Sequence, residues 1–283
     1  MTRGGENIIG GDYIMKYIDL FCGIGSFHFA MDLFHHECVF ACDIDKDARS
    51  TYETNYNLRP EGDIRDISLN DVPEYDVLTA GFPCTPFSII GKQKGFADKD
   101  GGMFFEVMRF VKHHKPRFVV LENVPALITH NNGETFATIL SSLTAEGYNV
   151  SHKVLNSKDF NIPQSRRRVF IVGCLDTLVK LDFEPQAPTN LTEYLGVGKF
   201  ERETSHTIRC QGRYSKYEDK THNWSHYMVN DRVYQLKLED AKRLQGFPSN
   251  FSLSGSKTQQ WRQLGNTIPT NLTQLVVSAI SNV

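Results

Sequence analysis

The stretch KYIDLFCGIGSFHFAMDLF, residues 16–34, carries the clearest signal of the chain's architecture. It opens on an apolar run that reads as a buried strand. It then passes through Gly23 and Gly25 and continues with Phe27, Ala30, Met31 and Phe34 at helical spacing. Two glycines permit a tight turn into a helix N-terminus. The alternation recurs downstream: residues 38–42, 76–80, 117–121, 149–155 and 168–173 read as strands. Residues 46–56, 103–112 and 134–145 carry apolar side chains at helical spacing. This pattern predicts an α/β fold, a doubly wound, Rossmann-like and mostly parallel sheet. In such sheets ligands sit at the carboxyl ends of the strands.

Past residue 173 the rhythm stops. Residues from about 178 to 238 are rich in Thr, Tyr, Asn, His, Lys and Arg and read as a second, smaller lobe; helical periodicity returns at 239–244 and 270–280. The expected division is a flexible N-terminal extension over 1–14, a cofactor-binding and catalytic domain over 15–177, a small domain over 178–258, and a C-terminal segment over 259–283 that returns to the catalytic domain. A chain 40 % apolar and 23 % charged has ordinary globular composition. The absence of any run of about 18 apolar residues speaks against a membrane span, and the polar, Gly-rich start does not read as a signal peptide. Six cysteines without C-x-x-C spacing give no zinc or thioredoxin-like reading, so no metal is expected. Reduced thiols and a cytoplasmic location follow. A net charge of −2 means that any nucleic-acid binding must come from local patches.

The chemistry-bearing residues fall at strand ends. Asp43 follows Gly23 by 20 residues, where an acid accepts the hydroxyls of a ribose. Asp63, near the end of a possible third strand, could accept from an adenine amine. Each acid alone is equally an N-cap or loop residue. The segment GFPCTPFS, residues 81–88, puts Cys84 in a proline-bounded loop after a strand, exposed and conformationally fixed. A lone cysteine is more often a buried small hydrophobe than a nucleophile; the flanking prolines favour the nucleophile. The strand over 117–121 leads into Glu122-Asn123-Val124, which sets a carboxyl in the same crevice. QSRRR, residues 164–168, is a basic turn that suits phosphate and base contact.

The ordered set DLFCGIG, ACDID, EGDI, GFPCTPFS, ENV, QSRRR, RLQGFP and GNTIP resembles the motif series of the DNA cytosine-5 methyltransferases, and it spans Asp19 to Pro269. The resemblance implies S-adenosylmethionine as cofactor, double-stranded DNA as partner, and a methyl group delivered to C5 of a flipped-out cytosine. It implies Cys84 as the thiolate that adds to C6, Glu122 as the acid at N3, Arg166 as donor to O2 and Arg168 as brace of the catalytic loop. For the cofactor it implies Phe21, Gly23, Gly25, Asp43, Ile44, Asp63, Ile64 and Pro83, with Asn266 tying the cofactor and catalytic loops together. Thr267 stands where Ser or Ala is frequent, and Asp43 where some relatives have Glu. The Gly- and Lys-rich run 89–102, without apolar periodicity, reads as a mobile loop; the resemblance implies that it closes over the flipped base and that Ser88, Lys92 and Gln164 lie at DNA.

The small lobe corresponds to the family's target-recognition domain. Arg209, Gln211 and Arg213 are interleaved there with Tyr214 and Tyr217, and Arg and Gln are side chains that read guanine and adenine edges. A monomer is expected, with a cognate restriction endonuclease as a possible companion. Three rivals are weaker. An inert DNA-binding protein would not need Cys84, Glu122 and Arg166. The family branch acting on transfer RNA carries a Cys-Phe-Thr tripeptide that this lobe lacks. A nicotinamide dehydrogenase would have a third glycine.

Overall fold

The computed structural model describes residues 13–83, 102–187, 189–211, 216–219 and 223–283. Six strands form the central sheet: β1 (Lys16–Leu20), β2 (Glu37–Cys42), β3 (Val77–Ala80), β4 (Phe118–Asn123), β5 (Asn149–Asn156) and β6 (Arg167–Cys174). Their order is β2-β1-β3-β4-β6-β5. β1, β2, β3 and β4 pair in parallel, whereas β6 runs antiparallel to both β4 and β5. Five strands therefore point one way and β6 the other. That single reversal brings the start of β6, with its arginines, to the carboxyl ends of the parallel strands.

Both faces of the sheet are covered, which is why its central strands read as unbroken apolar runs. Along β4, Val119 and Leu121 face one core with Phe104, Val107, Phe110 and Val111 of α3 (Met103–His114) and Ile139 and Leu143 of α4 (Glu134–Ala145). Phe118 and Val120 face the other, with Phe27 and Met31 of α1 (Ser26–Asp32) and Leu272, Val276 and Ile280 of α8 (Thr270–Ser281). Ser26 and Thr273 hydroxyls join α1 to α8 at 3.2 Å. The last helix thus packs on the sheet although it follows the small lobe. Among the described residues no helix is long and apolar enough to cross a membrane.

A third core belongs to the polar half of the chain. It gathers α5 (Leu191–Leu195), the hairpin β7 (His226–Val229) and β8 (Arg232–Gln235), α6 (Leu238–Leu244) and α7 (Lys257–Asn266) around Trp224, Tyr227, Phe247 and Trp261. Ile24 of the glycine turn and Ala48 of α2 (Lys46–Tyr56) share that core, so the lobe is seated directly on the turn.

The third strand anticipated before Asp63 is absent. Only Glu61 bridges Cys42, after which Asp63 caps a short 3₁₀ turn, Ile64–Asp66, through Arg65 N at 3.0 Å. An Asp that bonds its own downstream amide competes with strand pairing.

Candidate active site

At the end of β1 the backbone turns through three left-handed residues: Phe21 at φ 54°, Gly23 at 54° and Gly25 at 84°. The two glycines serve different ends. A Cβ on Gly25 would run into the Tyr56 ring, whose hydroxyl donates to Gly25 O at 2.7 Å. A Cβ on Gly23 would meet nothing within 4 Å, because Gly23 borders open space. That space is a cavity of about 480 Å³, walled by Phe21, Gly23, Asp43, Ile44, Pro83, Glu122, Arg168 and Asn266, among others. In sheet order it extends from the end of β2 to the start of β6.

Asp43, just past β2, accepts from Gly23 N at 2.8 Å and from Asp45 N at 2.7 Å. Burial pushes its carboxyl up and these amides pull it back. Each oxygen keeps a lone pair for a further donor. Ile44 beside it is 70 % exposed, an apolar platform at the mouth. Asp19 is also in the wall, 1 % exposed. Thr79 Oγ1 donates to its Oδ1 at 2.8 Å, while its Oδ2 has no hydrogen-bond partner. Desolvation pushes this carboxyl up to about 7.

At the far side β4 delivers Glu122 and Asn123 to the cavity. The register pairs Glu122 with Phe170 and Asn123 with Val169, so Arg168 follows at the rim. Arg168 Nε lies 2.7 Å from Glu122 Oε1. Glu122 is 7 % exposed, and burial raises its carboxyl despite the opposing guanidiniums of Arg168 and Arg166. Asn123 Nδ2 donates to Phe82 O at 2.9 Å, which fixes the backbone one residue before Pro83. Cys84, Ser88 and Lys92 lie outside the described residues.

Two members of the QSRRR segment depart from their expected roles. Gln164 is fully buried rather than presented to DNA. Its Nε2 donates to Leu244 O at 2.7 Å, and its Oε1 accepts from Ile208 N at 3.1 Å. Arg166, expected at the base, is 1 % exposed. It donates to Ile208 O, Gly265 O and Thr267 O, each at 2.8 Å, and only Nε is left without a partner. These residues precede β6, where Gln164 pairs with Ser205 as an isolated bridge, so they face the seam with the lobe instead of the cavity. Arg168, expected only as a brace, is the arginine against Glu122.

Asp63 and Ile64 are likewise not in the cavity wall. Ile64 is buried in the core against α3, and the Asp63 carboxylate is taken by Arg65, whose Nε stands 2.9 Å from Oδ1. Among the described residues no group of three or more His, Cys, Asp or Glu could hold a metal ion.

A family model described as C-5 cytosine-specific DNA methylase matches residues 15–232 and 187–282. The chain is similar to the Type II methyltransferase M.HaeII of Haemophilus aegyptius, at 37 % identity over 298 residues that cover 94 % of this chain and 93 % of that protein. The chain belongs to the C-5 cytosine-specific DNA methylase family. To M.HhaI of Haemophilus parahaemolyticus it is 31 % identical over 312 residues, covering 95 % and 94 % of the two chains. The S. pombe Dnmt2 methyltransferase superposes with a TM-score of 0.72 at 21 % identity, covering 94 % of this chain and 97 % of that one, a likeness of fold. The methylase is accordingly an enzyme, a DNA cytosine-5 methyltransferase.

In the methylase, Arg209 and Gln211 are exposed, and Arg213 lies outside the described residues. Arg209 sits between Ile208, held by Arg166, and Cys210, whose thiol donates to Asn266 Oδ1 at 2.7 Å. Arg209, the first of the three candidate base-reading residues, therefore stands beside the cavity rim. Sequence reasoning missed Asn123 as the tie to the loop before Pro83, Asp19 as a buried acid of the wall, and Arg262 of α7. Asp19 and Asn123 stood inside motifs already singled out, but only burial and bonding reveal their use.

Proposed function

We propose that the methylase transfers a methyl group from S-adenosylmethionine to C5 of a cytosine turned out of duplex DNA, through a covalent bond between Cys84 and C6. The observation that carries this reading is the one cavity shared by the glycine turn with Asp43 and by the Glu122–Arg168 pair. The residues present fit the cofactor. Gly23 leaves open a cradle that a Cβ would enter, Asp43 can accept a ribose diol, and Asp19 Oδ2 is a buried acceptor without a partner, suited to a cationic donor. Phe21, Ile44, Pro83 and Asn266 complete this wall. Bound there, the cofactor supplies an electrophilic methyl group on a sulfonium.

Cytosine C5 is too weak a nucleophile to take that methyl unaided. The Cys84 thiolate adds to C6, and Glu122 gives its proton to N3, so that no full negative charge remains on the ring. A carboxyl raised by burial is suited to hold that proton near neutrality. Arg168, already beside Glu122, donates to the developing charge at the N3–O2 edge. C5 then takes the methyl group. Loss of the C5 proton to a base re-forms the double bond as the thiolate leaves, and N3 returns its proton to Glu122. Turning the base out costs a few kcal/mol, recovered through contacts along residues 178–258, where Arg209, Gln211 and Arg213 read the sequence and Ser88 and Lys92 approach the strand.

The reading includes a monomer acting in a bacterial cytoplasm, alongside a restriction endonuclease of the same specificity. Bisulfite sequencing of DNA from an expressing host lacking its own methylases tests it. Protected cytosines should recur within one short sequence. Unprotected DNA together with methylated transfer RNA would overturn the choice of substrate.

A further inference from the structure

The cavity wall is unevenly charged. Asp19, Asp43, Asp45 and Glu122 contribute four carboxyls, and Arg168 and Arg262 two guanidiniums. Arg168 is committed to Glu122. Arg262 is not comparably engaged. Its side chain is 64 % exposed, and Nε lies 3.9 Å from Asp45 Oδ2, beyond hydrogen-bond reach. Asp45 is occupied elsewhere: its Oδ1 caps α2 at Asp47 N, 3.0 Å, and Ala48 N, 3.3 Å.

The helix under Arg262 is fixed even though its guanidinium is not. Thr51 Oγ1 donates to Gln263 Oε1 at 2.8 Å, and Gln263 Nε2 donates to Ser254 O at 3.0 Å. Trp261 and Leu264 are buried in the lobe core. Among the described residues this guanidinium has only the 3.9 Å contact with Asp45, and on a fixed backbone at the wall of an acidic cavity it can meet an anionic group of a ligand at little cost in ordering.

The cofactor proposed above carries a diol, a sulfonium, an ammonium and a carboxylate. Carboxylates suit the first three kinds of group, at Asp43, at Asp19 and at Oδ2 of Asp45, whose Oδ1 alone caps α2. The carboxylate alone would enter a wall of like charge. We infer that Arg262 receives the α-carboxylate of the cofactor's methionine moiety, exchanging its stretched contact with Asp45 for a charge-assisted, forked pair. Arg262 then makes the site select a nucleoside that bears an amino acid over a bare thionucleoside. This inference rests on the cofactor reading of the same cavity.

Calorimetric titration of the full chain with S-adenosylhomocysteine and with 5′-methylthioadenosine, which lacks the amino-acid end, tests it. Arg262→Ala should weaken S-adenosylhomocysteine by about 5- to 20-fold, the range for a charged hydrogen bond discounted for exposure, and leave 5′-methylthioadenosine unchanged. Arg262→Lys should recover part of the loss, since a point charge keeps the attraction without the fork. Equal weakening of both ligands would overturn the assignment, as would no weakening of either. Unchanged S-adenosylhomocysteine affinity with weaker binding of a DNA duplex would make Arg262 a phosphate contact instead. A wild-type chain that binds neither nucleoside would contradict the cofactor reading itself. One that binds both, with a ratio indifferent to Arg262, removes only the present inference.

Discussion

Arg166 and Arg168 lie two residues apart, and their substitutions should fail in opposite ways. Arg166→Met removes three hydrogen bonds from a guanidinium that is 1 % exposed and strands the carbonyls of Ile208, Gly265 and Thr267. Each buried acceptor left without a donor costs about 1–3 kcal/mol. The three share one side chain and the methionine fills part of its volume, so the loss is about 3–5 kcal/mol rather than the full sum. At this chain length that lowers Tm by roughly 8–15 °C. Arg168→Met breaks one ion pair, and Glu122, already raised by burial, can take up a proton instead of remaining an unpaired anion. Its stability cost is about 0–1.5 kcal/mol, whereas its single-turnover methylation rate should fall by about 10²–10³, the usual loss of one donor to a developing charge. Thermal melts and single-turnover methylation of the two variants separate these outcomes. An Arg166→Met protein that melts like wild type and is catalytically dead would refute the exchange of roles. So would an Arg168→Met protein that unfolds early and keeps its rate.

Other consequences are equally direct. The Asp19 carboxyl is pushed up to about 7 from 3.8 by burial, so its contribution to stability is complete below 3.8 and is lost as pH rises to about 7. Asp19→Asn should flatten that decline and exceed wild type at pH 8 in chemical denaturation; a decline that survives the substitution assigns it to another group. Gly25→Ala should destabilise the fold through its collision with Tyr56, whereas Gly23→Ala should lower cofactor affinity by more than the cost of its left-handed backbone, about 1 kcal/mol. Calorimetry beside thermal melts distinguishes the two, and equal effects at both glycines would count against an open cradle at Gly23. Gln164→Leu should lose about 1–3 kcal/mol of stability by stranding Ile208 N and Leu244 O, with the salt slope of DNA binding unaltered. A variant that keeps its melting temperature and binds every duplex more weakly would restore Gln164 to a DNA contact.

The catalytic half was legible because its signals are local. A strand, two glycines and a helical stripe at 16–34 suffice for β1, the turn and α1, and the apolar runs of β3 and β4 follow from a sheet covered on both faces. The reach of QSRRR was not legible. Whether Arg166 or Arg168 meets Glu122 depends on β6 running against β4 and on the Gln164–Ser205 bridge, and both are long-range pairings. Within the lobe only α6 was legible, from its periodicity at 239–244; α5 and the β7–β8 hairpin are short, and the lobe's core is shared with Ile24 and Ala48. Two of its signals were present all the same. Ser256 and Gln259 form a capping box that starts α7, and Asn230-Asp231, both left-handed, make the turn between β7 and β8. Asp63 misled because an acid after a glycine suits a strand end and a capped turn equally.

Covalent catalysis by Cys84 on cytosine is open to a mechanism-based trap. Duplex DNA carrying 5-fluorocytosine in the recognised sequence is incubated with the full chain and S-adenosylmethionine, then analysed by denaturing electrophoresis and intact mass. A stoichiometric adduct is expected whose mass equals protein plus DNA plus one methyl group, since fluorine cannot leave C5 as a proton does. No adduct is expected with Cys84→Ala, which should still bind S-adenosylhomocysteine. A wild-type chain that methylates ordinary DNA without trapping on the fluorinated duplex would rule out the covalent Cys84 intermediate, as would appreciable methyl transfer by Cys84→Ala.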